Sequence, residues 1–210
     1  MKIAVMTNPY ELMNETHIIN GLFHEGLEEL HVRKPAMNRK DMIAYLEGIH
    51  PEYHNRIILH SHFSLVHKFN VRGVHMDEDL LKNSLFNWFL DVFVIRKRGL
   101  KKCVTVHSTS HVAPVAQSAD EILLGPVFRK VSQFNCSRML KREKILKTLE
   151  RYSNQLVGLG SVCMQTIDEY QSLGFRSVTV QSAVWKCPDP VASFIALRNH
   201  VYQSPLKVAA

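Results

Sequence analysis

Cys103-Val104-Thr105-Val106-His107-Ser108 is a short β-branched run that ends in a polar residue able to do chemistry. Runs of the same kind recur along the chain: Lys2–Thr7, Glu29–Arg33, Arg56–His60, Val71–Met76, Glu121–Phe128, Gln155–Gly160 and Arg176–Gln181. With Cys103–His107 they number eight, and helical stretches or loops fill most of the gaps. Strand alternating with helix argues for parallel βαβ units, and eight such units close most simply into a (β/α)8 TIM barrel of the α/β class. The active face of such a barrel is built at the C-terminal ends of its strands. The tails of the runs are therefore where function is expected.

The helical segments fit this rhythm. Glu15–Glu25 reads as the first helix, and Asn38 is an N-cap for Arg39–Gly48. Ser64–Phe69 supplies a short helical turn, while Glu78–Leu90 is apolar without a deciding period. Ser137–Arg151 is the clearest amphipathic helix, with Met139, Ile145, Leu146 and Leu149 near one face. Met164–Leu173 ends at Gly174, a C-cap residue, and Asp189-Pro190 opens a final helix through about Val201. No linker or low-complexity tract interrupts the chain, so residues 1–210 are read as one domain.

Composition narrows the function classes. The hydrophobic share of 46% suits a globular protein, and no apolar run reaches the roughly 18 residues of a membrane span. The first strand begins at Lys2 with no signal-peptide pattern, so a cytoplasmic, membrane-free protein is expected. The four cysteines are dispersed, with neither a disulfide framework nor zinc-ribbon spacing. The net charge is +7, with basic runs at Arg96-Lys97-Arg98, Lys101-Lys102 and Lys141-Arg142. These read first as solvated surface and second as attraction for an anion such as a phosphate ester. Scattered basic residues without interleaved aromatics argue against nucleic acid as a partner. Oligomeric state stays open, a homo-oligomer included.

Side chains two apart on a strand point the same way. His31 with Arg33, His60 with His62, and Thr105 with His107 are thus same-facing pairs at strand ends. Among 12 histidines, His107 stands out because it closes a strand beside Ser108 and can move a proton near neutral pH. A hydrogen-bonded rim residue is the alternative. Gly158-Leu159-Gly160-Ser161 after the seventh strand and Gln181-Ser182 after the eighth match the positions where barrels hold phosphate on backbone N–H groups. Ordinary tight turns need glycine as well. His60-x-His62 also permits a zinc reading, with His31, His75 or Asp77 as a third ligand.

At these residues the sequence resembles the thiamine-phosphate synthase/TenI superfamily of (β/α)8 barrels. Leu30-His31-Val32-Arg33-Lys34-Pro35 is similar to its second-strand Gln-x-Arg-x-Lys motif, and Gly73-Val74-His75-Met76 to Gly-Val-His-Leu. Thr105-Val106-His107-Ser108 is similar to Ser-Val-His-Ser, and Gly125-Pro126-Val127-Phe128 to the Gly-Pro-Val-Phe before a threonine-rich phosphate loop. Gly158–Val162 and Val180–Val184 resemble the family's last two strand-end motifs. The departures bear on chemistry. His60-Ser61 stands where synthases carry Asn-Asp, Pro35 where a pyrophosphate-binding lysine is expected, and Lys130, Ser132 and Gln133 where the loop reads Thr-x-Thr-Lys.

The resemblance implies an enzyme of thiamine biosynthesis acting on a thiazole phosphate. The reading it favours is TenI-like tautomerisation, needing no cofactor, with His107 as general acid/base. His31, Arg33, His60, Thr105 and Ser132 would contact substrate, and Gly160, Ser161, Gln181 and Ser182 would hold phosphate. The second reading is a thiamine-phosphate synthase, which joins a pyrimidine pyrophosphate to the thiazole phosphate. It would use Mg2+ at an altered site, with Asp77 or Asp79 supplying the carboxylate. A non-catalytic phosphate-binding homologue is the third, and a metal-dependent hydrolase the fourth.

Overall fold

The computed structural model describes residues 1–78, 95, 98–128 and 140–203 of the 210-residue chain. Eight parallel strands close into a barrel in simple chain order. They are β1 (Lys2–Met6), β2 (Leu30–Val32), β3 (Ile57–Leu59), β4 (Gly73–Met76), β5 (Lys101–Val106), β6 (Glu121–Leu124), β7 (Leu156–Leu159) and β8 (Ser177–Val180). Closure comes from β1 against β8, where Lys2 pairs with Ser177 and Val5 with Val180. Trp185 reinforces the seam by donating from Nε1 to the Met6 carbonyl at 2.7 Å.

Strand alternation sorts the side chains into two layers. Leu30, Val32, Ile57, Leu59, Val74, Val104, Val106, Ile122, Leu124, Val178 and Val180 are fully buried in the large core that the helices cover. The intervening residues Met6, Ile58, Cys103, Leu123 and Val157 form a second, smaller apolar cluster inside the barrel. A filled interior of this kind is a packed core, which leaves only the ends of the barrel for polar chemistry.

Local signals explain the helix bounds. Glu15–His24 and Arg39–Glu47 are helices, and the Asn38 side chain accepts from the Asp41 N–H at 3.0 Å as an N-cap. Phe63–His67 is a single 3-10 turn. Arg142–Tyr152 is helical within the expected Ser137–Arg151 segment, of which residues 137–139 lie outside the described residues. Ile167–Leu173 stops at Gly174, whose φ of 98° is the left-handed geometry glycine adopts without cost. Pro190–Gln203 is the closing helix. No helix among the described residues is long and apolar enough to cross a membrane.

Lys101 and Lys102 belong to β5 and are not solvated loop, because carboxylates at the N-terminal end of the barrel draw Lys101 inward. Its Nζ lies 2.6 Å from Glu29 Oε2 and 2.5 Å from Glu121 Oε1.

Candidate active site

A cavity of about 590 Å3 opens at the C-terminal ends of the strands. Arg33 borders it just beyond β2, His60 just beyond β3, and His75 and Asp77 from the end of β4. Thr105 and His107 come from β5 and its tail, Gly160 and Ser161 from the turn after β7, and Gln181 and Ser182 from the turn after β8. Residues far apart in sequence therefore share one mouth, because parallel strands deliver all their C-terminal ends to the same side. Asp79, Lys130, Ser132 and Gln133 lie outside the described residues.

His107 is held at two points. Its backbone N–H donates to Glu78 Oε1 at 3.0 Å, and its Nδ1 lies 2.7 Å from the Gly125 carbonyl. A carbonyl oxygen only accepts, so Nδ1 carries the proton and Nε2 is left as the basic nitrogen of the neutral ring. Glu78 Oε1 also meets His111 Nδ1 at 3.0 Å. Partial burial would raise the Glu78 carboxyl, yet the bonds from His111 and the His107 N–H bring it below its ordinary value.

The turn after β7 is shaped to present amides. Gly160 has φ 102°, and a Cβ there would stand 2.8 Å from Pro126 Cα, so no larger residue fits without displacing backbone. Ser161 follows in the left-handed region with φ 49°. Tyr170 Oη donates to the Gly160 carbonyl, and Thr166 Oγ1 donates to the Ser161 carbonyl at 2.6 Å. Within a trans peptide the N–H points opposite to the C=O. The Ser161 and Val162 N–H groups therefore point away from those hydroxyls. Gly160, Ser161 and Val162 line the cavity, whereas Thr166 and Tyr170 do not. The Ser161 Oγ is buried with no hydrogen-bond partner among the described residues. Beside this turn, after the neighbouring strand β8, Ser182 opens the short helix Ser182–Trp185, whose first N–H groups have no intrahelical acceptor.

A histidine cluster forms the base of the cavity. The rings of His60 and His75 stack with centroids 4.0 Å apart and planes 6° from parallel. His31 Nδ1 lies 3.0 Å from His60 Nε2, and His75 Nε2 lies 2.9 Å from Thr105 Oγ1. Burial first, and then the neighbouring imidazoles and Arg33, push the His60 pKa well below its usual range. Burial likewise lowers His75 to about 4, although the Asp77 carboxylate opposes the shift. Both rings are neutral at neutral pH. The bond from His75 in turn holds Asp77 below the ordinary carboxylate range.

Two placements differ from the sequence reading. His31 does not line the cavity; it is fully buried one layer down β2, and it reaches the mouth only through His60. His62 does not share the face of His60, because β3 ends at Leu59 and His62 turns into the left-handed region with φ 52°. Its Nε2 instead meets the Met37 carbonyl at 2.8 Å. Lys34, next to Arg33, is buried and points away, donating to the Tyr10 carbonyl at 2.8 Å and to Glu15. Among the described residues, Arg33 is thus the cationic side chain at the mouth. His75 and Asp77 are a further same-facing pair under the two-residue rule, and Glu78 has no sequence signal beyond the acidic run Asp77-Glu78-Asp79.

Comparison with known proteins agrees with this architecture. No family model matches the chain. It is similar to the thiamine-phosphate synthase of Klebsiella pneumoniae, 23% identical over 186 residues that cover 86% of this chain and 85% of that protein. Its fold is that of the thiamine phosphate pyrophosphorylase from Bacteroides thetaiotaomicron, with TM-score 0.76 and 24% identity over 98% of this chain and 100% of the other. The pyrophosphorylase from Pyrococcus furiosus superposes with TM-score 0.78 at 18% identity, over 96% of each chain. These likenesses support the resemblance to the thiamine-phosphate synthase/TenI superfamily and do not single out the TenI subgroup.

Proposed function

We propose that this barrel is an enzyme of thiamine biosynthesis that binds a thiazole phosphate and moves one proton on it, as TenI-like tautomerases do. One observation carries the reading. A histidine with Nδ1 engaged by a carbonyl, and Nε2 without a partner among the described residues, shares a cavity with two turns suited to a phosphate. In this reading the amides of Ser161, Val162 and Ser182 hold the phosphate, with Gln181 beside them. Arg33 pairs with the substrate carboxylate, and Thr105 and His60 border the ring. His107 Nε2 takes a proton from one atom of the substrate ring and returns it to another. The substrate changes tautomer with no net gain or loss of atoms, and the imidazole ends neutral.

His107→Asn tests this directly, since asparagine can still donate to the Gly125 carbonyl but cannot carry the proton. Turnover should fall by two to four orders of magnitude, roughly the contribution of a general acid/base, while phosphate-ester binding survives. Full activity in that variant rejects the assignment.

The names of the relatives favour a second reading, thiamine-phosphate synthase. A coupled assay with both substrates and Mg2+ separates the two, because only the synthase releases pyrophosphate. Magnesium is a hard ion that takes oxygen ligands, usually one or two carboxylates plus substrate phosphates. Here the described donors fit it poorly. Asp77 is one carboxylate, Glu78 is occupied by His107 and His111, and a serine, Ser61, stands where the second would be expected.

A further inference from the structure

We infer that Thr179 is a specificity-determining residue whose hydroxyl donates to an acceptor atom on the ring of the bound ligand. The inference rests on the thiazole-phosphate reading above, in which that atom is the ring nitrogen. Thr179 belongs to β8 and borders the cavity at only 3% exposure. Its Oγ1 is buried with no hydrogen-bond partner among the described residues. Buried hydroxyls are nearly always paired, because an unpaired one has given up its bonds to water without replacing them. The neighbouring strands offer no partner at this level. β1 sets Ala4 beside Thr179, and β7 sets Leu159 there. By contrast Thr105, which also borders the cavity, has its Oγ1 2.9 Å from His75 Nε2.

Position along the strand says which part of a ligand the hydroxyl meets. Thr179 and Gln181 both border the cavity and stand two residues apart, roughly 6–7 Å along the strand direction. With the phosphate at the Gln181-Ser182 turn, Thr179 lies one short linker deeper, at the level of the ring. Leu159, its register partner, borders the cavity there with an apolar side chain. An aromatic heterocycle uses both features, an apolar wall against its face and one directed polar group for its heteroatom. Ligand pockets fix orientation in this way, with few polar groups in a mostly apolar lining. One rotation about Cα–Cβ carries the Thr179 hydroxyl to the place of its methyl, so the group can turn to the ligand. A ring nitrogen without hydrogen only accepts, and the threonine O–H supplies the donor.

Calorimetry on the full chain should compare two phosphate esters of similar reach. One is the phosphate of 4-methyl-5-(2-hydroxyethyl)thiazole, and the other is 2-phenylethyl phosphate, whose ring has no acceptor. Wild type should favour the thiazole ester about tenfold, the scale of one neutral hydrogen bond. Thr179→Val keeps the shape without the hydroxyl and should erase that preference by weakening the thiazole ester alone. It should also melt at or above the wild-type temperature, because it removes an unpaired buried group. A hydroxyl with a merely structural role would lower the melting temperature on removal and leave both affinities as they were. Thr179→Ser should keep the preference, which preserves the test if the valine variant does not fold. Equal binding of the two esters by wild type, a preference that survives in Thr179→Val, or one lost in Thr179→Ser would overturn the inference and leave the phosphate site standing. If neither ester binds, the proposed function itself falls, and the inference with it.

Discussion

The two ends of this barrel are built from the same strands and behave oppositely. At the N-terminal end, Glu29 is only 1% exposed and lies 2.6 Å from Lys101, 3.3 Å from Arg72 and 3.5 Å from Lys2. Burial alone would raise its carboxyl, yet His31, Lys101 and Lys2 hold it far below the ordinary range. Lys101 is shared with Glu121. Each of these five charged groups has a partner of opposite sign. At the C-terminal end, two imidazoles are kept neutral, Arg33 is exposed, and buried polar atoms on Ser161 and His75 have no partner among the described residues. The contrast can be followed along one strand, from Glu29 through His31 to Arg33. A satisfied charge network stabilises and does nothing further, whereas unmet donors and lone pairs are what a ligand can satisfy.

The sharpest break of this contrast compares His107→Asn with Glu29→Ala. The first should remove most turnover and leave the melting temperature nearly unchanged. The second strips the floor of its central anion and should cost about 3 kcal/mol of stability, the scale for breaking a buried ion pair, read by denaturant unfolding. Its residual folded protein should still bind a phosphate ester. A Glu29→Ala protein that melts like wild type but has lost activity would invert the assignment of the two ends. Gly160→Ala probes the mouth at smaller scale. Its strained φ and the contact with Pro126 should cost roughly 1–3 kcal/mol and weaken a phosphate ester about tenfold by calorimetry. Unchanged affinity would remove that turn from the phosphate site. Glu78→Ala should have the mildest effect, because it frees the backbone anchor of His107 and one bond to His111 but leaves the His107 Nδ1 bond to Gly125 in place. Turnover should drop roughly three- to tenfold with KM steady, on the scale of one charge-assisted hydrogen bond. No change in turnover would leave Glu78 without a positioning role.

Most of the barrel was legible because it is written in short-range pattern. All eight strands fall inside or beside the β-branched runs, and the cap residues Asn38 and Gly174 act where their chemistry predicts. The runs overshoot at their ends. Thr7 and His60 still donate to neighbouring strands, to the His31 and Val32 carbonyls, but lie one step past the strand bounds. The short helix Ser182–Trp185 escaped notice because four residues are too few to show a period. The site was legible in position more than in contact. His107 and the two turns do share one cavity, whereas the inward placement of His31 and the turning-away of His62 and Lys34 depend on where each strand stops. Lys101 illustrates the same limit, since a basic pair reads as surface until the carboxylates that pull it inward are known.

The paired charges of Glu29, Lys101 and Glu121 shut the barrel at one end, and the apolar cluster of Met6, Ile58, Cys103, Leu123 and Val157 fills its middle. Among the described residues the cavity opens only on the side of the strand C-termini. Whatever leaves must retreat along the path by which the next molecule arrives, so departing and incoming molecules exclude each other. An accumulating product should then slow the reaction by direct competition, a form of self-restraint that requires no second binding site.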